Sequence, residues 1–190
     1  IWSQNAKQEP ENRCAYTLYD RQGRITETGL TATNGVHANV YTMLTTGNYA
    51  NQSQLTNAIN KVPRWEVIHT FYDAPVIKLE SRKGMSAQEF LRNRPATIAR
   101  YPSLSYFAPD SNFALAIHYS YDVSGNVKTL TYDMPVLDDV KQRYKRIDYS
   151  YDLYSGKVTL VSYNRSFADQ FYQQYTYDPD NRIIKTETSV

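Results

Sequence analysis

Apolar and polar residues alternate over several stretches of this chain, with the two-residue period of a strand that has one covered face. Cys14 to Leu18 and Arg24 to Leu30 flank Tyr19-Asp20-Arg21-Gln22-Gly23, which predicts a strand, a turn and a returning strand. Trp65 to Asp73 alternates in the same way, ends on Tyr72-Asp73, and is broken by Pro75. Ala96 to Tyr106 and Ala114 to Tyr121 are further strands, separated by a turn at Pro109-Asp-Ser-Asn112. A helical period shows in two places. Leu55, Ala58, Ile59 and Val62 form one apolar stripe that Pro63 ends. Ser86-Ala-Gln-Glu89 has capping-box spacing, with Phe90 and Leu91 as the buried side of a helix limited by Pro95. Residues 1–14 read as a polar extended connection anchored by Trp2, and Thr31 to Asn51 as a loop with room for a short strand at Asn39 to Leu44.

The last third of the chain repeats one phrase three times: Tyr119-Ser-Tyr121-Asp122, Tyr149-Ser-Tyr151-Asp152 and Tyr175-Thr-Tyr177-Asp178. Each is followed by a reversal and a β-rich run. Gly125, Gly156 and Asn181 stand where a tight reversal needs positive φ. Each Asp is placed to accept from backbone N–H groups two residues on, so it reads as a staple of the bend rather than an acid catalyst. Tyr residues at i and i+2 share one strand face, where rings can cover a neighbouring hairpin while hydroxyls reach water or backbone. A lone hairpin is marginal in water, and the starts at 119, 149 and 175 have the spacing of a repeat architecture. Asp133 to Tyr144 interrupts the array. Leu137, Val140 and Tyr144 could share a helical face there, while Pro135 and Asp138-Asp139 fit a loop equally well.

Composition supports a half-wet sheet over an apolar helical core. Hydrophobic residues make up 41% of the 190, yet mean hydropathy is −0.62 and 18 residues are Tyr. A net charge of +2, without a basic run carrying interleaved aromatics, gives no reason to expect nucleic acid as a partner. No apolar run approaches the roughly 18 residues of a membrane span. Cys14 is the only cysteine, which rules out an internal disulfide. The opening at Ile1 and the repeat that reaches Val190 lead us to expect one section of a longer array.

Candidate chemistry is sparse. His37, His69 and His118 are scattered and lack the spacing of a zinc site, so they read as sheet or surface histidines. Cys14 has no local catalytic context and reads as a small buried hydrophobe. Asp178, Asp180 and Asn181 match part of a calcium loop, but the closing Glu is missing and the turn reading is preferred. Asn51-Gln-Ser53 and Asn164-Arg-Ser166 match the glycosylation sequon. The expectation is a chain with no cofactor and no enzymatic activity.

The strings YSYDVSGNV, YSYDLYSGKV and YTYDPDNRI resemble the YD repeats of RHS (rearrangement hot spot) proteins, and the wider strings around them resemble RHS-type proteins of Bacteroidota. The resemblance is strong over residues 117–188 and weaker at Ala15 to Ile25 and at Trp65 to Asp73. It implies a mainly β fold in which antiparallel YD-repeat hairpins build a continuous curved sheet, part of a β-shell, with one or two short helices in inserts. A single segment would then run through residues 1–190: a connection over 1–14, degenerate repeats with helical inserts over 15–116, and clear repeats over 117–190. The repeat positions would be Tyr19, Asp20, Gly23, Tyr72, Asp73, Tyr119, Tyr121, Asp122, Gly125, Tyr149, Tyr151, Asp152, Gly156, Tyr175, Tyr177, Asp178 and Asn181. The function implied is a non-catalytic section of a secreted or cell-surface shell that encloses or carries another domain, such as a toxin. Its partners would be the rest of its own chain and the type IX secretion machinery. The family's self-cleavage site has Asp-Pro followed by Gly-Leu; here Asp178-Pro179 is followed by Asp180-Asn181, which departs from that pattern. The alternative is a carbohydrate-binding or adhesion module whose exposed Tyr rings stack on glycans.

Overall fold

The computed structural model describes residues 2–3, 12–32, 59, 62–104 and 113–189. The chain is mainly β. Among the described residues the strands are β1 (Trp2–Ser3), β2 (Arg13–Tyr19), β3 (Ile25–Ala32), β4 (Arg64–Tyr72), β5 (Pro95–Leu104), β6 (Leu115–Tyr121), β7 (Val127–Asp133), β8 (Tyr144–Tyr151), β9 (Val158–Tyr163), β10 (Phe171–Tyr177) and β11 (Ile183–Ser189). Strand order in the sheet follows chain order, the arrangement expected of successive hairpins. The described pairings, such as β2 with β3, β6 with β7 and β7 with β8, are antiparallel. Two compact units divide the chain: Ile1–Phe71 with Ile98–Leu115, and Tyr72–Thr97 with Ala116–Val190.

In the first unit, strand alternation buries Cys14, Tyr16 and Leu18 on one face of β2. Val67, Ala99, Tyr101 and Phe113 are also buried, the last two meeting edge to face with centroids 6.3 Å apart. The β3–β4 ladder breaks its register between Thr28 and Leu30, leaving Gly29 at the irregularity. A Cβ on Gly29 would come within 2.9 Å of the Tyr16 hydroxyl and 3.1 Å of Val67 Cγ2. Gly29→Ala is therefore expected to lower stability by about 1–3 kcal/mol through overpacking, read as a lower urea midpoint.

In the second unit, the buried face of the sheet is polar. Thr97, His118, Ser120, Thr129, Thr131 and Asp133 are all buried. An extended segment over Gly84 to Leu91 lies on this face and supplies partners. Gln88 Nε2 donates to the carbonyls of Ala96 (2.6 Å) and Tyr119 (2.8 Å), and the Glu89 N–H donates to Ser120 Oγ (2.9 Å). The Tyr121 N–H donates back to the Glu89 carbonyl at 3.1 Å, and Arg146 Nη1 to the Gly84 carbonyl at 3.2 Å.

This segment corrects the helix expected from Ser86 to Glu89. A single capped turn stopped by Pro95 gains little as a helix, whereas laid out straight it satisfies the sheet's polar groups. Leu91 is buried as expected, but Phe90 is 52% exposed at φ 52. The interruption after β7 is a 3-10 turn at Pro135–Leu137. Of residues 1–14, expected as an extended connection, the described ones include β1 and the start of β2. Of the helix expected over Leu55 to Val62, only Ile59 and Val62 fall among the described residues, and both are buried. Leu55, Ala58, Asn39 to Leu44, Asn51, Pro109 to Asn112 and His37 lie outside them.

Candidate functional site

The four hairpins β2–β3, β6–β7, β8–β9 and β10–β11 share one reversal. In each, the ladder shifts register one residue before the Asp: at Leu18/Tyr19, Ser120/Tyr121, Ser150/Tyr151 and Thr176/Tyr177. Gly23 (φ 79), Gly125 (φ 95), Gly156 (φ 68) and Asn181 (φ 62) then take the left-handed conformation that turns the chain back.

The carboxylates hold these bends from inside. Asp20 Oδ1 accepts from the N–H groups of Gln22 (2.8 Å) and Arg24 (2.9 Å), and Asp178 Oδ1 from those of Asp180 and Arg182, both at 2.9 Å. Asp122 Oδ1 accepts from the Asn126 N–H at 2.8 Å. Asp152, in the loop with one extra residue, accepts from Tyr154 (3.1 Å) and Ser155 (2.7 Å). For Asp20 and Asp122 desolvation pushes the carboxyl up, but hydrogen bonds outweigh it. Backbone donors at Ser155 and Arg182 act first on Asp152 and Asp178. All four lie below the usual carboxylate range. Asp178 and Asp180 also pair with Arg182, at 2.8 and 2.9 Å, so their oxygens serve the turn.

Asp73 differs from the other repeat positions. It sits at φ 70 and its Oδ1 accepts from the Asn93 N–H at 2.6 Å, across the long segment between β4 and β5. Tyr72-Asp73 thus marks the end of a strand without a tight hairpin after it, because the next strand begins only at Pro95.

The tyrosines join one hairpin to the previous one. Tyr119 and Tyr121 stack with centroids 6.3 Å apart, and Tyr149 and Tyr151 lie 6.5 Å apart. The second hydroxyl of each phrase donates to a backbone carbonyl on the preceding strand: Tyr121 to Pro95 (2.9 Å), Tyr151 to Val127 (2.7 Å) and Tyr177 to Val158 (2.8 Å). Those acceptors are the first residues of β5, β7 and β9. The same contact recurs three times, on acceptors of two residue types, Pro and Val. Burial raises the phenol pKa of both Tyr121 and Tyr151, which keeps them protonated as donors. A glycan platform needs bare rings, but Tyr119, Tyr121, Tyr149, Tyr151, Tyr175 and Tyr177 are half-buried or buried; Tyr154, at a hairpin tip, is fully exposed.

Two buried ionic clusters lay beyond sequence reasoning. In the first unit, Glu27 Oε1 accepts from Tyr16 (2.5 Å) and Arg64 Nη1 (2.7 Å), while Oε2 lies 3.0 Å from His69 Nδ1. In the second, Asp133 is gripped by Arg143 Nε at 2.6 Å and Nη2 at 3.2 Å. His118 lies between Thr97, 2.9 Å from Nδ1, and Asp133, 3.8 Å from Nε2. Thr97, His118 and Asp133 stand in the order of a nucleophile, a base and an orienting acid, but they are 2%, 2% and 0% exposed. That burial denies a substrate access to Thr97, so the trio holds strands together. Cys14 is likewise buried, and desolvation pushes its thiol up to about 11, away from the reactive thiolate. Among the described residues, no group of three or more His, Cys, Asp or Glu is placed to hold a metal ion. Asn164, the acceptor of the second sequon, is buried, and its side chain bonds the Arg146 N–H and Asp169.

Among the described residues no helix is long and apolar enough to cross a membrane. No protein-family model matches the chain, and no curated protein matches it. Among solved structures, it is similar to a chain of the Photorhabdus luminescens Tc holotoxin pore. The match has 13% identity and a TM-score of 0.44, covering 93% of this chain and 8% of that one.

Proposed function

We propose that this chain is a non-catalytic wall section, a run of hairpins each bolted to the one before it, which carries or encloses another part of a longer RHS-type protein. The observation behind this is the thrice-repeated hydroxyl-to-carbonyl bond from Tyr121, Tyr151 and Tyr177. Such a bond uses one tyrosine per repeat and only backbone on the other side, so it can be extended to any number of hairpins. The residues with catalytic character are buried or committed to bends, which suits a mechanical role. The likeness of YSYDVSGNV and its companions to YD repeats supports placing the chain among secreted or surface RHS-type proteins. The wider strings support a Bacteroidota origin, with type IX export as the route that origin suggests.

The far end of the array offers a test. β11 is exposed throughout, pairs among the described residues with β10 alone, and presents Ile183 and Ile184 at 56% and 63% exposure. An open strand with apolar side chains is a template for further pairing. The chain in isolation should therefore associate with rising concentration in sedimentation velocity, and Ile184→Lys should return it towards monomer. A wild-type chain that stays a cooperative monomer at high concentration would overturn the wall reading.

A further inference from the structure

In the second unit, a pocket of about 280 Å³ is lined by four cations, Arg82, Lys83, Lys141 and Arg143, against one carboxylate, Asp138. Arg143 is spoken for by buried Asp133 and takes up Asp138 as well, 3.6 Å from its Nη1. Arg82, Lys83 and Lys141 have no carboxylate partner among the described residues. In a second pocket, of about 420 Å³, Lys128 pairs with Glu89 and Arg146 with Asp148, which leaves Arg165 as its one cation without a carboxylate partner among the described residues. Like charges gathered with too few counter-charges repel one another, and an anion between them relieves that cost.

The remaining walls are apolar: Met85, Phe167 and the ring of Tyr144. The guanidinium groups of Arg82 and Arg143 lie over that ring, 6.0 and 5.2 Å from its centroid. Phe167 is seated firmly. Its ring is so close to Gly84 that a Cβ there would stand 2.6 Å from it. Its loop is pinned to β8, where the Asn164 N–H donates to the Arg146 carbonyl at 2.8 Å and Asn164 Oδ1 accepts from the Arg146 N–H at 2.7 Å. A free guanidinium fork suits a carboxylate or phosphate, and fixed aromatic walls suit a flat body.

We propose that this pocket binds a small aryl anion, its carboxylate or phosphate head held by Arg82 and Lys141 and its ring lying against Phe167, Tyr144 and Met85. The site stands on side chains the wall reading does not use, so either can fail alone. The test is calorimetric titration at low salt of the Ile184→Lys chain, which has its open edge blocked, with phenyl phosphate, benzoate and inorganic phosphate. Both aryl anions should bind saturably, and phenyl phosphate more tightly than inorganic phosphate. Arg82→Gln and Lys141→Gln should each weaken binding by about tenfold, the loss of a charge-assisted hydrogen bond. Phe167→Ala should erase the preference for phenyl phosphate, and Lys157→Gln, on a distant turn, should change nothing. Circular dichroism checks that each variant remains folded. Absence of heat with both aryl anions, inorganic phosphate binding as tightly as phenyl phosphate, or Arg82→Gln and Lys141→Gln leaving affinity untouched would overturn the proposal.

Discussion

Glu27→Gln is expected to lower the stability of the chain by about 3–5 kcal/mol, the range seen when one member of a buried ion pair is removed. Arg64 is fully buried, and Glu27 is the carboxylate 2.7 Å from its Nη1. Gln keeps the shape and one acceptor but takes away the negative charge. Burial alone would push the Glu27 carboxyl up. Hydrogen bonds from His69 and Tyr16 and the charge of Arg64 outweigh it, so the group sits below the usual range. A depressed pKa contributes stability that is present above the unfolded value of about 4.3 and is lost as pH falls through the folded value. The urea midpoint of the wild type should therefore hold level from neutral pH to about 5 and fall on further acidification, and Glu27→Gln should begin lower and fall less steeply.

Asp133→Asn should give the next largest loss, about 3 kcal/mol, at the lower end of the same range because Arg143 keeps 25% of its side chain in solvent. Asp133 itself is fully buried. Desolvation raises its carboxyl, but the His118 ring 3.8 Å away and the hydrogen bonds and charge of Arg143 bring it down on balance. The same sign applies: its contribution is complete above about pH 4 and disappears in acid. Since Glu27 and Asp133 stand in different units with no shared partner, the double variant should show losses close to additive. Chemical denaturation of the two single variants and the double variant checks this.

These two residues also show where the sequence stops being legible. Along β3 and β7, Glu27 and Asp133 look like members of a solvent face. What buries them is register: Glu27 lies opposite His69 and within reach of Arg64, 37 positions away. No local pattern carries that information. The turns were legible for the opposite reason, because Gly23, Gly125, Gly156 and Asn181 answer a requirement set by their own φ. The helix expected at Ser86 fails because a local capping pattern competed with Ser120, Ala96 and Tyr119, which wanted partners from the same segment. The Tyr bolts were half legible. The phrase announces the donor, but a backbone carbonyl at Pro95, Val127 or Val158 leaves no mark in a sequence.

Amide hydrogen exchange on the triple variant Tyr121→Phe, Tyr151→Phe, Tyr177→Phe tests the hairpin bolts most directly. Removing each hydroxyl should cost about 1 kcal/mol, a factor of about 5 in local protection. Amides at the seams between hairpins, β7 with β8 and β9 with β10, should lose that protection, while those inside the β10–β11 hairpin keep theirs. Seam amides exchanging at the wild-type rate in the triple variant would contradict the account.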